Sequence, residues 1–217
     1  MNLDEVREAL LKGQPVMVYD FDGREEEVDV LFYAGKVDWR SVNFLRKHAG
    51  GLICYVTGLE EAEALGLKFM SEMVKEKYPR LARRPGYGDE PAFSIYVNHV
   101  STRTGISDED RAKTIRELHE VVRLTKVDPV GAKEKFYSEF YSPGHVPILV
   151  SRGLDRRKGH TELVAALLEL VGLERSGVIA EVLDDGASMR KEKAFELARH
   201  WGIPFVSGKE IVEAYKK

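Results

Sequence analysis

Six carboxylates and one arginine fall within the eleven residues Tyr19-Asp20-Phe21-Asp22-Gly23-Arg24-Glu25-Glu26-Glu27-Val28-Asp29, directly after the apolar run Pro15-Val16-Met17-Val18. If Glu25 to Asp29 enter a strand, the two-residue period sets Glu25, Glu27 and Asp29 on one face. Neighbouring like charges repel, so such a row calls for a cation, and a hard divalent metal with a polyoxygenated substrate would neutralise it. A solvated acidic hairpin is the plain alternative for the segment taken alone.

Three further segments gather polar groups at the ends of elements. His99 to Ser107, which contains Thr104, leads into the capping box Ser107-Asp108-Glu109-Asp110. Its hydroxyls, Arg103, Gly105 and the free amides of a helix start could hold an anion, or form nothing more than a well-capped turn. Arg157-Lys158-Gly159-His160-Thr161-Glu162 is a second loop-to-helix junction. Its cations suit a phosphate and His160 could ligate a metal, but a basic surface loop has the same composition. Pro143-Gly144-His145-Val146 carries a histidine at a strand start, where a structural role is the commoner one. Glu181 interrupts the apolar run Val178 to Leu183, which puts it on a wet sheet face or gives it a raised pKa. Cys54 ends another apolar run, a place that usually means core.

Short apolar runs alternating with helical patterns must position these groups. Strands are expected at Val16–Tyr19, Val28–Ala34, Leu52–Val56, Phe93–Val97, Val146–Val150, Val178–Leu183 and around Pro204-Phe205-Val206. Helices are expected over Asp4–Lys12, from an Asp38 cap through His48, and over Leu59–Tyr78. More follow Ser107 toward Lys126, over Thr161–Val171, and from Met189 and Lys209. Arg83 to Asp89 reads as a mobile loop that could close over a ligand. No repeat, low-complexity stretch or linker divides the chain, so one α+β domain over 1–217 is expected, a mixed twisted β-sheet with helices packed around it.

Composition excludes several function classes. Basic and acidic residues number 33 and 36 and are interspersed, which speaks against nucleic acid or an anionic membrane as the main partner. The best apolar stretch, Leu163 to Leu173, is too short to span a bilayer and is broken by Glu169. A single cysteine forbids an intrachain disulfide, and the start lacks a signal-peptide pattern, so a cytoplasmic location is expected.

In this order the segments resemble 3,4-dihydroxy-2-butanone-4-phosphate synthase, from Val16 to about Met189. The resemblance rests on Asp-x-x-x-Arg-Glu-x-Glu-x-Asp (Asp20, Arg24, Glu25, Glu27, Asp29) and Gly-Leu-Ile-Cys (Gly51 to Cys54). It continues through Thr-Gly-Ile-Ser-x-x-Asp-Arg-Ala (Thr104 to Ala112), Pro-Gly-His-Val (Pro143 to Val146) and Arg-x-Gly-His-Thr-Glu (Arg157 to Glu162). Gly23 and Val28 stand where bacterial members usually carry Asp and Gly, Pro147 follows Pro-Gly-His-Val directly, and no fused cyclohydrolase half follows. These departures look like the archaeal, single-function branch.

The resemblance implies conversion of ribulose 5-phosphate into 3,4-dihydroxy-2-butanone 4-phosphate and formate for riboflavin. It implies two magnesium ions, with manganese as a substitute, and a homodimer with active sites near the subunit interface. It implies Glu25 and His160 as metal ligands. Arg24, Asp29, Thr104, Arg157, Lys158, Gly159, His160, Thr161 and Glu181 would contact substrate. His145, Glu181 and Glu27 would be catalytic. Enediol formation, dehydration, skeletal rearrangement and formate loss all need acid–base groups and rigidly held oxygens, which this set supplies.

Two rivals remain on the residues. Val16 to Gly23 looks like the nucleophile motif of haloacid-dehalogenase-like phosphatases, with Asp20 as nucleophile, Asp22 as acid/base and Asp184-Asp185 as an acidic pair. That reading leaves the Arg157 and His145 segments without a role. A non-catalytic sugar-phosphate-binding protein would use the phosphate loop but not the acidic row.

Overall fold

Apolar alternation decides the layers. In β1 (Val16–Tyr19), Val16 and Val18 pack into one core while Met17 and Tyr19 pack into another, and all four residues are buried. A strand covered on both faces reads as a continuous apolar run, and the strands at the middle of this sheet share the pattern. The computed structural model describes residues 1–216. Its other strands are β2 (Val28–Tyr33), β3 (Cys54–Thr57), β4 (Phe93–His99), β5 (Phe140–Val150), β6 (Ser176–Glu181), the short pair β7 (Leu183–Asp184) and β8 (Ala187–Ser188), and β9 (Phe205–Ser207). The helices are α1 (Leu3–Leu11), α2 (Trp39–His48), α3 (Leu59–Leu65), α4 (Met70–Lys77), α5 (Asp108–Thr125), α6 (Pro129–Glu139), α7 (His160–Leu170), α8 (Lys191–Trp201) and α9 (Gly208–Tyr215).

Seven strands form one mixed sheet in the order β4-β5-β3-β6-β2-β1-β9. The β3–β5 and β1–β9 pairs are parallel and the other four are antiparallel. Helices α1, α7 and α9 bury their apolar residues on one face, while α2, α3, α5, α6 and α8 cover the other. The expected α+β architecture is therefore present. None of the helices among the described residues is long and apolar enough to cross a membrane.

Several boundaries differ from expectation for identifiable reasons. The helix expected over Leu59–Tyr78 is broken after Leu65, where Gly66 takes the left-handed conformation that closes α3. Strand β2 starts at Val28, so Glu25 to Glu27 lie in the preceding loop. Helix α6 was not expected. Its start is nonetheless encoded: Asp128 caps the Gly131 amide at 2.9 Å and Pro129 occupies the first turn. Strand β5 begins at Phe140, before the expected Val146, because Phe140 and Tyr141 pair with His99 and Asn98 of β4; the mostly exposed stretch that follows has no alternation to announce it.

Candidate active site

The register of the sheet makes the centre of the site. Asp29 of β2 lies directly opposite Glu181 of β6, and two residues further in Leu31 faces Ile179, which also pairs with Cys54 of β3. This is the face covered by α7, whose first residue is His160. A cavity of about 420 Å³ opens here. Glu25, Glu27 and Asp29 line one side, Arg157, His160 and Thr161 another, with Glu181 and Cys54 on its floor. Seven of the residues singled out for chemistry thus converge from three separate stretches of chain.

Asp20 organises the acidic loop. Its buried carboxylate accepts the backbone N–H groups of Glu25 at 3.1 Å and Glu27 at 3.0 Å, and the Arg24 guanidinium at 3.1 Å. Between those two amides, Glu26 adopts φ +58° and turns outward into solvent. A non-glycine residue in that region is strained, and here the strain accompanies a loop that sends Glu25 and Glu27 inward. The expected three-residue row exists, but a pinned turn produces it in place of strand alternation. The same geometry overturns the phosphatase reading. Asp20 is saturated by the loop it holds, Asp22 is exposed and accepts the Tyr19 hydroxyl at 2.6 Å, and β1 turns straight into an antiparallel partner. Asp184 and Asp185 sit in the exposed β7–β8 hairpin.

His160 is wholly enclosed by acidic groups. Its Nε2 lies 3.2 Å from the Glu27 carbonyl, to which it donates, and that leaves Nδ1 facing Glu25 Oε2 at 3.4 Å. Burial alone would lower the imidazole pKa, but Asp29, the Glu25 hydrogen bond and Asp20 outweigh it and lift the group to about 9. For Glu25 burial pushes the pKa up, yet the His160 hydrogen bond and the Arg24 charge prevail and hold it at about 2. Asp29 is driven up to about 7, chiefly by burial and further by Glu181, Glu27 and Glu25, against the pull of His160. Glu181 is also raised, by burial first and then by Glu27. The Cys54 thiol is held neutral by burial and by the Glu181 and Asp29 charges.

A divalent cation fits this donor set. One ligand atom each from Asp20, Glu25 and His160 come within 4.8 Å of one another. Of these, Asp20 is already engaged by amides and Arg24, so Glu25 and His160 Nδ1, once that nitrogen gives up its proton, are the ready ligands. Asp29 Oδ1 and Glu181 Oε2 are buried acceptors without hydrogen-bond partners. Two orphaned carboxylate oxygens in one cavity are costly unless a cation or a bound hydroxyl meets them.

The anion side is built around Glu162, a residue whose role the sequence does not announce. Its fully buried carboxylate accepts the Arg152 amide at 2.9 Å, Arg157 Nη1 at 2.6 Å and the Gly159 amide at 3.3 Å. A side chain on Gly159 would collide with the Arg157 guanidinium at 2.1 Å, so the glycine is needed for that packing. Arg157 Nε makes no hydrogen bond. Asp89, from the loop expected to be mobile, binds Arg24 at 3.0 Å and lies 3.9 Å from Arg157, while Tyr87 sits under the Arg24 guanidinium. Lys158 is exposed and does not line the cavity.

Thr104 and His145 are not brought to this cavity. They lie together elsewhere on the same chain, around Asn98 near the end of β4: the His145 amide donates to Asn98 Oδ1 at 2.8 Å, and Asn98 Nδ2 lies 3.4 Å from the Thr104 carbonyl.

Comparison with known proteins agrees with this geometry. Residues 4–214 match the family model described as 3,4-dihydroxy-2-butanone 4-phosphate synthase. A protein of that name from Archaeoglobus fulgidus is 41% identical, over 100% of this chain and 95% of its own length. One from Methanothermobacter thermautotrophicus is 39% identical, over 98% and 95%. Among solved structures, a 3,4-dihydroxy-2-butanone 4-phosphate synthase in complex with two magnesium ions superposes with a TM-score of 0.78 at 27% identity, covering 98% of this chain and 95% of that one. A cation-free form gives 0.77 at 28% identity, over 100% and 97%.

Proposed function

This chain belongs to the 3,4-dihydroxy-2-butanone 4-phosphate synthase family, the lyases of riboflavin biosynthesis, and from that premise we propose how its own residues carry the reaction. The substrate is D-ribulose 5-phosphate, and the products are 3,4-dihydroxy-2-butanone 4-phosphate and formate. The observation that carries the assignment is the confrontation of Glu25 and His160 Nδ1 across 3.4 Å beside two buried carboxylate oxygens that make no hydrogen bond. Glu25 and His160 hold the metal, as two magnesium ions per site or manganese in their place. Bound there, a divalent cation polarises the substrate oxygens and stabilises charge that develops on them.

The chain's own groups do the rest. Arg157, held from behind by Glu162 and with no hydrogen bond at Nε, grips the phosphate together with the Thr161 hydroxyl and the first amides of α7. Arg24 and Lys158 add positive charge at the rim, and Gly159 lets the backbone approach. Glu27, Asp29 and Glu181 face the carbon skeleton. Asp29, whose pKa burial raises to about 7, can both take and return a proton near physiological pH, and burial shifts Glu181 in the same direction. That suits a sequence needing proton abstraction beside a carbonyl, loss of a hydroxyl as water and release of formate. The buried, neutral Cys54 thiol completes the floor without acting as a nucleophile.

His145 and Thr104 reach substrate from a second copy of the chain. The protein is therefore a homodimer whose two sites each draw on both subunits. A lone buried cysteine fits a reducing cytoplasm. The direct test is incubation with ribulose 5-phosphate and magnesium, with formate and inorganic phosphate assayed together. Formate without phosphate, abolished by EDTA, is expected. Phosphate release without formate would refute the assignment.

A further inference from the structure

Two of the glycine-containing motifs close onto one buried side chain that neither motif contains. Asn98, near the end of β4, is 1% exposed. Gly144, in the irregular stretch where the β4–β5 register shifts, brings β5 so close to β4 that a Cβ there would stand 2.0 Å from the Val97 carbonyl carbon. Gly105, at φ +88°, would drive its Cβ to 2.1 Å from the Asn98 amide nitrogen. Both glycines are therefore required by the position of Asn98 and its strand, which gives these motif residues a physical reason at this site.

The amide is engaged on all sides. Its Oδ1 accepts the His145 N–H at 2.8 Å and lies 3.3 Å from the His145 ring Nδ1. Its Nδ2 lies 3.1 Å from the same Nδ1, 2.9 Å from the Tyr141 hydroxyl and 3.4 Å from the Thr104 carbonyl. One side chain thus holds the backbone and one ring nitrogen of His145 and the loop that carries Thr104. Nε2 is left as the ring nitrogen free to meet a ligand, on an exposed side chain.

We infer that Asn98 is the positioning residue for His145: it holds the backbone and Nδ1 of that residue so that Nε2 is the nitrogen left for a ligand. The inference rests on the role of His145 proposed above. A ring held only by a buried amide is exposed to small misplacement, and a shift of about 1 Å at a reacting group can cost roughly 100-fold in rate.

The test measures kcat and KM for ribulose 5-phosphate with magnesium in four full-length proteins: Asn98→Ala, Asn98→Asp, His145→Ala and the Asn98→Ala/His145→Ala double variant. Asn98→Ala should lose roughly 10- to 100-fold in kcat with KM changed by less than about threefold. Asn98→Asp keeps an oxygen for the His145 amide and should recover most of the loss. In the double variant the Asn98 change should add nothing to His145→Ala, because a group acting through another has no effect once that other is gone. Wild-type kcat in Asn98→Ala, or losses that multiply in the double variant, would overturn the inference. If Asn98→Ala proves unstable, Asn98→Leu, which fills the same space without polar atoms, is read in the same way. A fully active His145→Ala protein would instead remove the catalytic role of His145, an outcome separate from any result at Asn98.

Discussion

His160 must lose a proton before its Nδ1 can bind a metal. In the metal-free protein its pKa is raised from an ordinary 6.5 to about 9, so at pH 7.5 the ring is protonated, with Nδ1 facing Glu25 and Nε2 donating to the Glu27 carbonyl. Metal and proton therefore compete for one lone pair. The sign follows: affinity is full above the raised pKa and falls as pH drops below it, by about tenfold per unit. Calorimetric titration with magnesium at pH 7.5, in two buffers of different ionisation enthalpy, should show about one proton released, shrinking above pH 9. No buffer dependence would mean that His160 is not a ligand. Substitution at the same scale separates the acidic residues by geometry. Glu25→Gln and His160→Ala should each abolish formate production, whereas Asp22→Asn should stay near wild type, because that carboxylate is exposed and touches only Tyr19 and Lys191. An inactive but folded Asp22→Asn protein would return the first aspartates to the chemistry.

Elements carry these residues with uneven legibility. The sequence announces β1, β2 and β6 through apolar runs, and α7 through an apolar segment behind a polar junction, so the scaffold of the cavity could be read in advance. Glu25 and Glu27 were expected to face inward from a strand, but a strained turn at Glu26 and the Asp20 clamp produce that result, and a single residue's φ leaves no periodic trace. Glu162 was visible only as the end of a motif, since its three buried contacts come from residues separated by a loop. That loop supplies the next prediction. Glu162→Gln removes the charge facing Arg157 in a buried site and should cost about 3–5 kcal/mol, because an uncompensated guanidinium remains. Urea unfolding measures the stability loss. In the protein that remains folded, KM for ribulose 5-phosphate should rise more than kcat falls, since Arg157 loses its aim and the carboxylates do not. A stability change under about 1 kcal/mol would mean the loop is held by something else.

At the scale of the whole molecule, the chain divides its chemistry between two places. Glu25, Glu27, Asp29, Arg157, His160, Thr161 and Glu181 share the cavity on the α7 face, while His145 and Thr104 sit around Asn98 and do not line it. No reading of one sequence could reveal that separation, because spacing along the chain says which residues belong to a motif and nothing about which copy of the chain uses them. The proposed homodimer would resolve it: about a two-fold axis each cavity would receive His145 from its neighbour, and symmetry would complete both sites at once. The arrangement has a quantitative consequence. A Glu25→Gln subunit has a dead cavity and a working His145, and a His145→Ala subunit has the reverse. Homodimers of either variant contain no intact site. A mixed dimer contains one intact site and one doubly defective one. After unfolding and refolding at equal amounts, random pairing makes half the dimers mixed, so activity should recover to about a quarter of wild type. Formate production measures it, with unmixed variants refolded in parallel. If the mixture stays as inactive as its parents, His145 serves the cavity of its own chain, and closure within one subunit would have to bring it there.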